Sequence, residues 1–326
     1  MAGYRAPDGR SRSPWPADDP SVLTHHPGVD GLVVAYLAFT SGLYWRNGWP
    51  SRSHLLLFGL HWIGIFAIAA LRRFLLRCPP GTWAGLRFLH AWYPAMILPL
   101  VYRELAVLNR IVTDRYYDAW VLQWEARLFG GFPVLTFSQR IPHPWVSEIL
   151  HFGYVSYYTM IPALGLTLYL SRRYRAFHAY MFTLMATFFF CYLWFIFFPV
   201  EGPHYAYPTL EGSLQDGWFR RWALAVLARG AARGAAFPSS HVAAAVVTVL
   251  CAYRWDRRVF WVLLPLGTAL TLGTVYGRFH YAVDALAGLV VAGLFAVVGP
   301  LLYERLGPRP LEAPKPLSNP PSTART

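Results

Sequence analysis

Residues 283–303 read VDALAGLVVAGLFAVVGPLLY, an apolar run whose one charge is Asp284 near its start. A helix rises about 1.5 Å per residue and the hydrocarbon core of a bilayer is about 30 Å thick. Roughly 20 mainly apolar residues therefore cross it. Working outward, comparable runs lie near 30–46, 54–71, 88–108, 147–170, 177–198, 238–253 and 259–276. The expected fold is all-α, a polytopic transmembrane helix bundle of about eight spans. The run at 30–46 is weak, and the run at 88–108 carries Arg103 and Glu104 near its end. Without one or both of these the count falls to seven or six.

Composition agrees. The chain is 56% hydrophobic and 14% charged, against about 25% charge in a soluble domain. One transmembrane domain, 29–306, is expected between a polar tail, 1–28, and a disordered Pro- and Ser-rich tail, 307–326. The first 28 residues lack the charged start, apolar core and small-residue cleavage site of a removable signal peptide. The net charge of +13 does not indicate nucleic acid, because the arginines are scattered between apolar runs and form no basic cluster. Cys78, Cys191 and Cys251 sit in or beside apolar runs at no metal-ligand spacing and read as small hydrophobes. Between the third and fourth runs, Asp114–Phe129 has helical spacings suited to the membrane interface.

Short loops on the cytoplasmic side carry an excess of arginine. Arg72, Arg73, Arg77 and Arg87 fall in one such loop, Arg172, Arg173 and Arg175 in a second, Arg254, Arg257 and Arg258 in a third. These are alternate loops, so both termini are expected to be cytoplasmic. Loops 199–237 and 277–282 then face the opposite side. Lys315 is the only lysine, a bias that suggests a GC-rich bacterial genome. The site would then face the periplasm from an inner membrane.

Both of those opposite-side loops end in ionisable residues at a helix start. The first runs Ala236-Phe237-Pro238-Ser239-Ser240-His241 into VAAAVVTVLCAY. Pro and Ser before an apolar run signal a helix start. The unpaired N–H groups of its first turn make an anion site. The second runs Tyr276-Gly277-Arg278-Phe279-His280-Tyr281-Ala282-Val283-Asp284. His280 and Asp284, four apart, share a helix face. A carboxylate on one imidazole nitrogen fixes the tautomer and frees the other as nucleophile. Arg278 has a planar fork for phosphate oxygens. Taken singly, each has an ordinary reading: an interfacial histidine, a helix cap, a snorkelling arginine. Together, on one membrane face, they read as a functional site.

These two segments resemble the second and third signature motifs of the type 2 phosphatidic-acid phosphatase superfamily. The form TVYGRFHYAVDALAG is closer to the branch resembling inositol-phosphorylceramide synthases, the inositolphosphotransferase-like branch. The likeness covers roughly 198–293 and implies a catalytic core at about 177–303. It implies His280 as nucleophile, Asp284 orienting its ring and His241 as acid and base. Arg278, Ser239 and Ser240 would bind phosphate, with no metal and no cofactor. The implied partner is a lipid phosphate in the bilayer. The family's more familiar third motif has arginine where Thr274 stands, and its first motif brings basic residues where Gly202-Pro203-His204 stands. His204 is therefore the candidate for the first phosphate contact, with Arg229 or Arg233 as compensating charges. Two other readings remain at this level: a non-enzymatic membrane protein with a degenerate site, and a two-histidine, one-carboxylate metal site.

Overall fold

A computed structural model describes residues 22–47, 51–79, 81–210, 212–214 and 216–307. Of the two expected tails, residues 1–21 and 308–326 lie outside the described residues. The described chain is helical throughout, with no strand and a single isolated bridge, Val200 to Ala235.

Each of the eight apolar runs is a helix. After a single turn, α1 (Val22–His25), come α2 (Gly28–Arg46), α3 (Arg52–Arg77) and α4 (Ala84–Val112). Two short helices follow, α5 (Asp118–Phe129) and α6 (Pro133–Arg140), then α7 (Pro144–Leu170) and α8 (Tyr174–Phe197). The next loop holds α9 (Pro203–Ala206) and α10 (Trp218–Gly230), and α11 (Ser240–Trp255), α12 (Arg257–Tyr276) and α13 (Ala282–Leu306) complete the bundle. Among the described residues, α3, α8, α12 and α13 are long and apolar enough to cross a membrane. That is four of the eight expected spans. In the others, polar residues turn inward and lower the apolar content, or, as in α11, the helix is short.

The central helix is α8, most of whose residues are buried. It packs on α4, α11, α13 and α2. The broadest interface joins α7 and α12, and a Cβ at Gly273 would strike the Leu150 carbonyl across it. By contrast, α3 is an outer helix whose Leu55, Leu56, Ile63 and Phe66 are exposed. Such a face suits lipid, where a water-facing one would not.

Two buried polar clusters tie α2, α3 and α4 together. At one end of α2, Asp30 accepts from the Tyr93 hydroxyl at 2.7 Å and lies 3.1 Å from His90 Nε2 and 3.5 Å from Arg72 Nε. At the other end, Glu104 accepts from the Tyr44 hydroxyl at 2.7 Å and lies 3.0 Å from His61 Nε2. His61 Nδ1 continues to the hydroxyls of Ser41, at 3.2 Å, and Thr40, at 3.3 Å. Glu104 therefore does not interrupt α4; it is the inward-facing partner of two neighbouring helices. Removing the carboxylate strands a histidine nitrogen and a phenol inside the bundle. Glu104→Ala is expected to destabilise the protein by about 2–5 kcal/mol, read as a lowered melting temperature in detergent.

The arginine-bearing loops gather at one end of the bundle. Arg72 donates to the Thr24 carbonyl at 3.1 Å, and Arg173 pairs with Asp256 at 3.4 Å and with the Trp255 carbonyl. At the same end His26 Nε2 meets the Tyr303 carbonyl at 2.9 Å, which brings the start of the described chain to the last turns of α13. The first turn of α13 lies at the opposite end. At about 1.5 Å per residue, that helix is roughly 37 Å long.

Candidate active site

At that opposite end, four segments meet: the starts of α11 and α13, the loop before α9, and α5. Ser239 is the N-cap of α11, its hydroxyl accepting from Val242 N at 3.3 Å. This leaves the N–H groups of Ser240 and His241, the first two of the helix, without intrahelical partners. The motifs are joined by backbone, since Ser239 N donates to the Asp284 carbonyl at 3.0 Å. Their close approach needs Gly288, where a Cβ would stand 2.7 Å from the Ser239 carbonyl oxygen.

His280 lies in the turn between α12 and α13, with Asp284 one turn into α13. His280 Nδ1 is 3.4 Å from Asp284 Oδ2. Nδ1 makes no formed hydrogen bond, so the pair is in contact but not yet well aligned. Catalytic hydrogen bonds are often long before the ligand arrives. The other face of the carboxylate is fixed, because Asp284 Oδ2 accepts from Tyr281 N at 2.9 Å, as the third residue of a capping box does. Burial holds the His280 imidazole down to about 4, against the Ala236 carbonyl acting as acceptor. At neutral pH the ring is uncharged, which is the nucleophilic form.

The His241 ring stands 5.8 Å from that of His280 between centroids, with Tyr157 at 4.8 Å and Tyr154 at 5.6 Å on its other sides. His204 also reaches the site. Gly202, at φ +95, turns the chain where a side chain would be strained, and a Cβ there would lie 3.0 Å from Ala236 Cβ and 3.8 Å from His204 Nδ1. Burial and then the neighbouring His280 hold His204 down to about 4. Its Nδ1 is buried with no partner. The short parallel bridge explains how the loops meet: Val200 N donates to Gly234 O at 3.1 Å and Ala236 N to Val200 O at 3.0 Å.

The remaining candidates stand differently. Ser239 and Ser240 are buried at the start of α11, the Ser239 hydroxyl being engaged in the cap. Arg278 occupies a left-handed conformation, φ +60, and its Nη1 donates to the Pro208 carbonyl at 2.6 Å. The side chain lines a cavity of about 400 Å³ with Ser138, Gln139 and Leu210. Arg233 pairs with Glu201 and lies over the Tyr116 and Tyr205 rings. Among the described residues, no group of three or more His, Cys, Asp or Glu side chains is arranged to hold a metal ion.

Two residues that sequence reasoning missed lie on α5. Asp118 accepts from Glu201 N at 2.9 Å and Gly202 N at 3.0 Å. Glu125 accepts from Ala282 N at 3.1 Å and Val283 N at 2.9 Å. Burial raises the Glu125 carboxyl, and the N–H groups of Val283 and Ala282 oppose that rise. The one signal in the sequence was the spacing: seven residues put both acids on one face of a helix.

A family model described as PAP2 superfamily matches residues 119–298, more than half of the chain. The matched region takes in α6 to α12 and most of α5 and α13, and with them every histidine of the site. Comparison with curated proteins finds no match, and comparison with solved structures finds none.

Proposed function

The chain belongs to the PAP2 superfamily, whose members are generally phosphatases, and on that premise we propose an integral-membrane lipid phosphatase or phosphotransferase. The observation that carries the reading is the convergence of His204, His241 and the His280–Asp284 pair on the open start of α11. A neutral nucleophile beside an anion-binding helix end is an arrangement for phosphoryl transfer.

The proposed reaction has two steps. The His280 nitrogen not facing Asp284 attacks phosphorus; the N–P bond forms as the P–O bond to the leaving group breaks. His241 gives its proton to the departing oxygen. Asp284, now opposite an imidazolium, closes its 3.4 Å contact into a charge-assisted hydrogen bond. Water or an alcohol then attacks phosphorus, the N–P bond breaks, and His241 takes the proton. The Ser240 and His241 N–H groups stabilise the equatorial oxygens, and the Ser239 and Ser240 side chains line that anion site. Arg278 leaves the Pro208 carbonyl to join them, and His204, uncharged at neutral pH, offers a ring N–H where the first motif would bring a cation. No step in this scheme calls for a metal.

The acceptor decides between hydrolysis and transfer. The stretch TVYGRFHYAVDALAG, residues 274–288, favours the inositolphosphotransferase-like branch and hence an alcohol acceptor. We place the site on the periplasmic side of a bacterial inner membrane, with eight spans and both termini cytoplasmic. The gathering of Arg72 and Arg173 at the end away from His280 supports this orientation. The test incubates purified protein with a phosphorus-labelled lipid phosphate, with and without inositol. Labelled inorganic phosphate identifies a phosphatase, and a labelled inositol product a transferase. If neither forms and vanadate does not bind, the site is degenerate and the proposal is wrong.

A further inference from the structure

We propose that Asp118 and Glu125 form a positioning pair that holds the two loops of the catalytic centre in register. This inference rests on the phosphoryl-transfer reading above. Each carboxylate accepts two backbone N–H groups from a different segment: Asp118 from Glu201 and Gly202 in the loop before α9, Glu125 from Ala282 and Val283 at the start of α13. The Asp118 contacts stand just before His204, and the Glu125 contacts just after His280. The Tyr281 hydroxyl, 3.5 Å from Asp118 Oδ1, links the two sets.

Three features set this pair apart from ordinary caps. The helix that carries both acids is only twelve residues long and sits between loops distant in sequence. Both acids act on backbone, so they set where the loops run whatever side chains those loops bear. Glu125 has no exposed surface, and a carboxylate is buried only when its partners hold it well. Glu125 also fills the N-terminus of α13. An incoming phosphate therefore meets one open helix start, that of α11, instead of two.

If α5 is this common strut, its carboxylates change how well the reacting groups are aligned more than how tightly substrate binds. A misplacement of about 1 Å costs on the order of 10²-fold in rate. Kinetics of Asp118→Asn, Glu125→Gln and the double variant, purified in detergent, test this with a lipid phosphate as substrate. The expected result is a fall in kcat of about 10- to 100-fold in each single variant, with KM within about threefold of wild type. The double variant loses little more than the worse single, because one strut is broken either way. Glu125→Asp, which keeps a carboxylate, recovers part of kcat. Amide hydrogen exchange rises at 201–202 in the first variant and at 282–283 in the second.

Full kcat in both single variants with an active wild type overturns the inference while leaving the function standing. So does a loss of activity that tracks only the loss of folded protein, or a rise in KM at constant kcat. A wild type that turns over no lipid phosphate and binds no vanadate overturns both.

Discussion

Replacing His280 with alanine lowers turnover of a lipid phosphate by about 10⁴-fold or more, the scale on which enzymes lose a covalent nucleophile. The reason is specific to its position. His280 is buried at the one point where a carboxylate faces Nδ1, the start of α11 opens and a second histidine stands 5.8 Å away. Burial keeps the ring neutral, and attack uses the tautomer whose proton is on Nδ1, facing Asp284. The variant should remain folded. The hydrogen bonds that shape the turn are backbone ones, Phe279 N and His280 N to the Thr274 carbonyl at 2.9 and 3.0 Å, and alanine keeps them. Wild-type melting temperature together with lost turnover is the expected pair of results. Undiminished turnover removes His280 from the chemistry.

His241→Ala costs about 10²- to 10⁴-fold, and the loss depends on the leaving group. General acid catalysis matters most when the departing oxygen is a poor leaving group, as in a lipid alkoxide. An aryl phosphate, whose phenolate departs without a proton, should lose far less than a lipid phosphate in the same variant. An equal loss on both substrates would mean that His241 binds phosphate and does not donate the proton. The contact with Tyr157 at 4.8 Å makes the ring orientation a matter of packing, so Tyr157→Phe should leave the leaving-group dependence intact.

Much of this architecture is local and was legible in the chain. All eight apolar runs became helices because continuous apolarity is a property of neighbours in sequence. The same holds for the Ser239 cap, three residues before the amide it serves, and in part for His280 and Asp284, which meet at 3.4 Å although His280 stands in the turn before α13 and not on a shared helix face. What could not be read is what depends on distant partners. Glu104 looked like a flaw near the end of a span until Tyr44 and His61 stood beside it. Glu125 falls within the interfacial stretch 114–129 and drew no separate reading, because its partners lie 157 and 158 positions away. His204, which departs from the pattern the resemblance led us to expect, follows Gly202, whose Cβ position lies 3.0 Å from Ala236 Cβ and 3.7 Å from the Phe279 carbonyl oxygen. The bridge between residues 200 and 235 that carries it there has no local signature. Arg278 shows the opposite case. Its place in the sequence points to phosphate, while its guanidinium rests on the Pro208 carbonyl.

The central claim is that a phosphoryl group passes through His280. Rapid acid-free quenching of the enzyme with a phosphorus-labelled lipid phosphate measures this most directly, followed by peptide mapping. The account predicts an acid-labile, alkali-stable label on the peptide containing His280, larger in His241→Ala if that residue also serves the second step, and absent in His280→Ala. Steady turnover with no label on His280 in either the wild type or His241→Ala would contradict it.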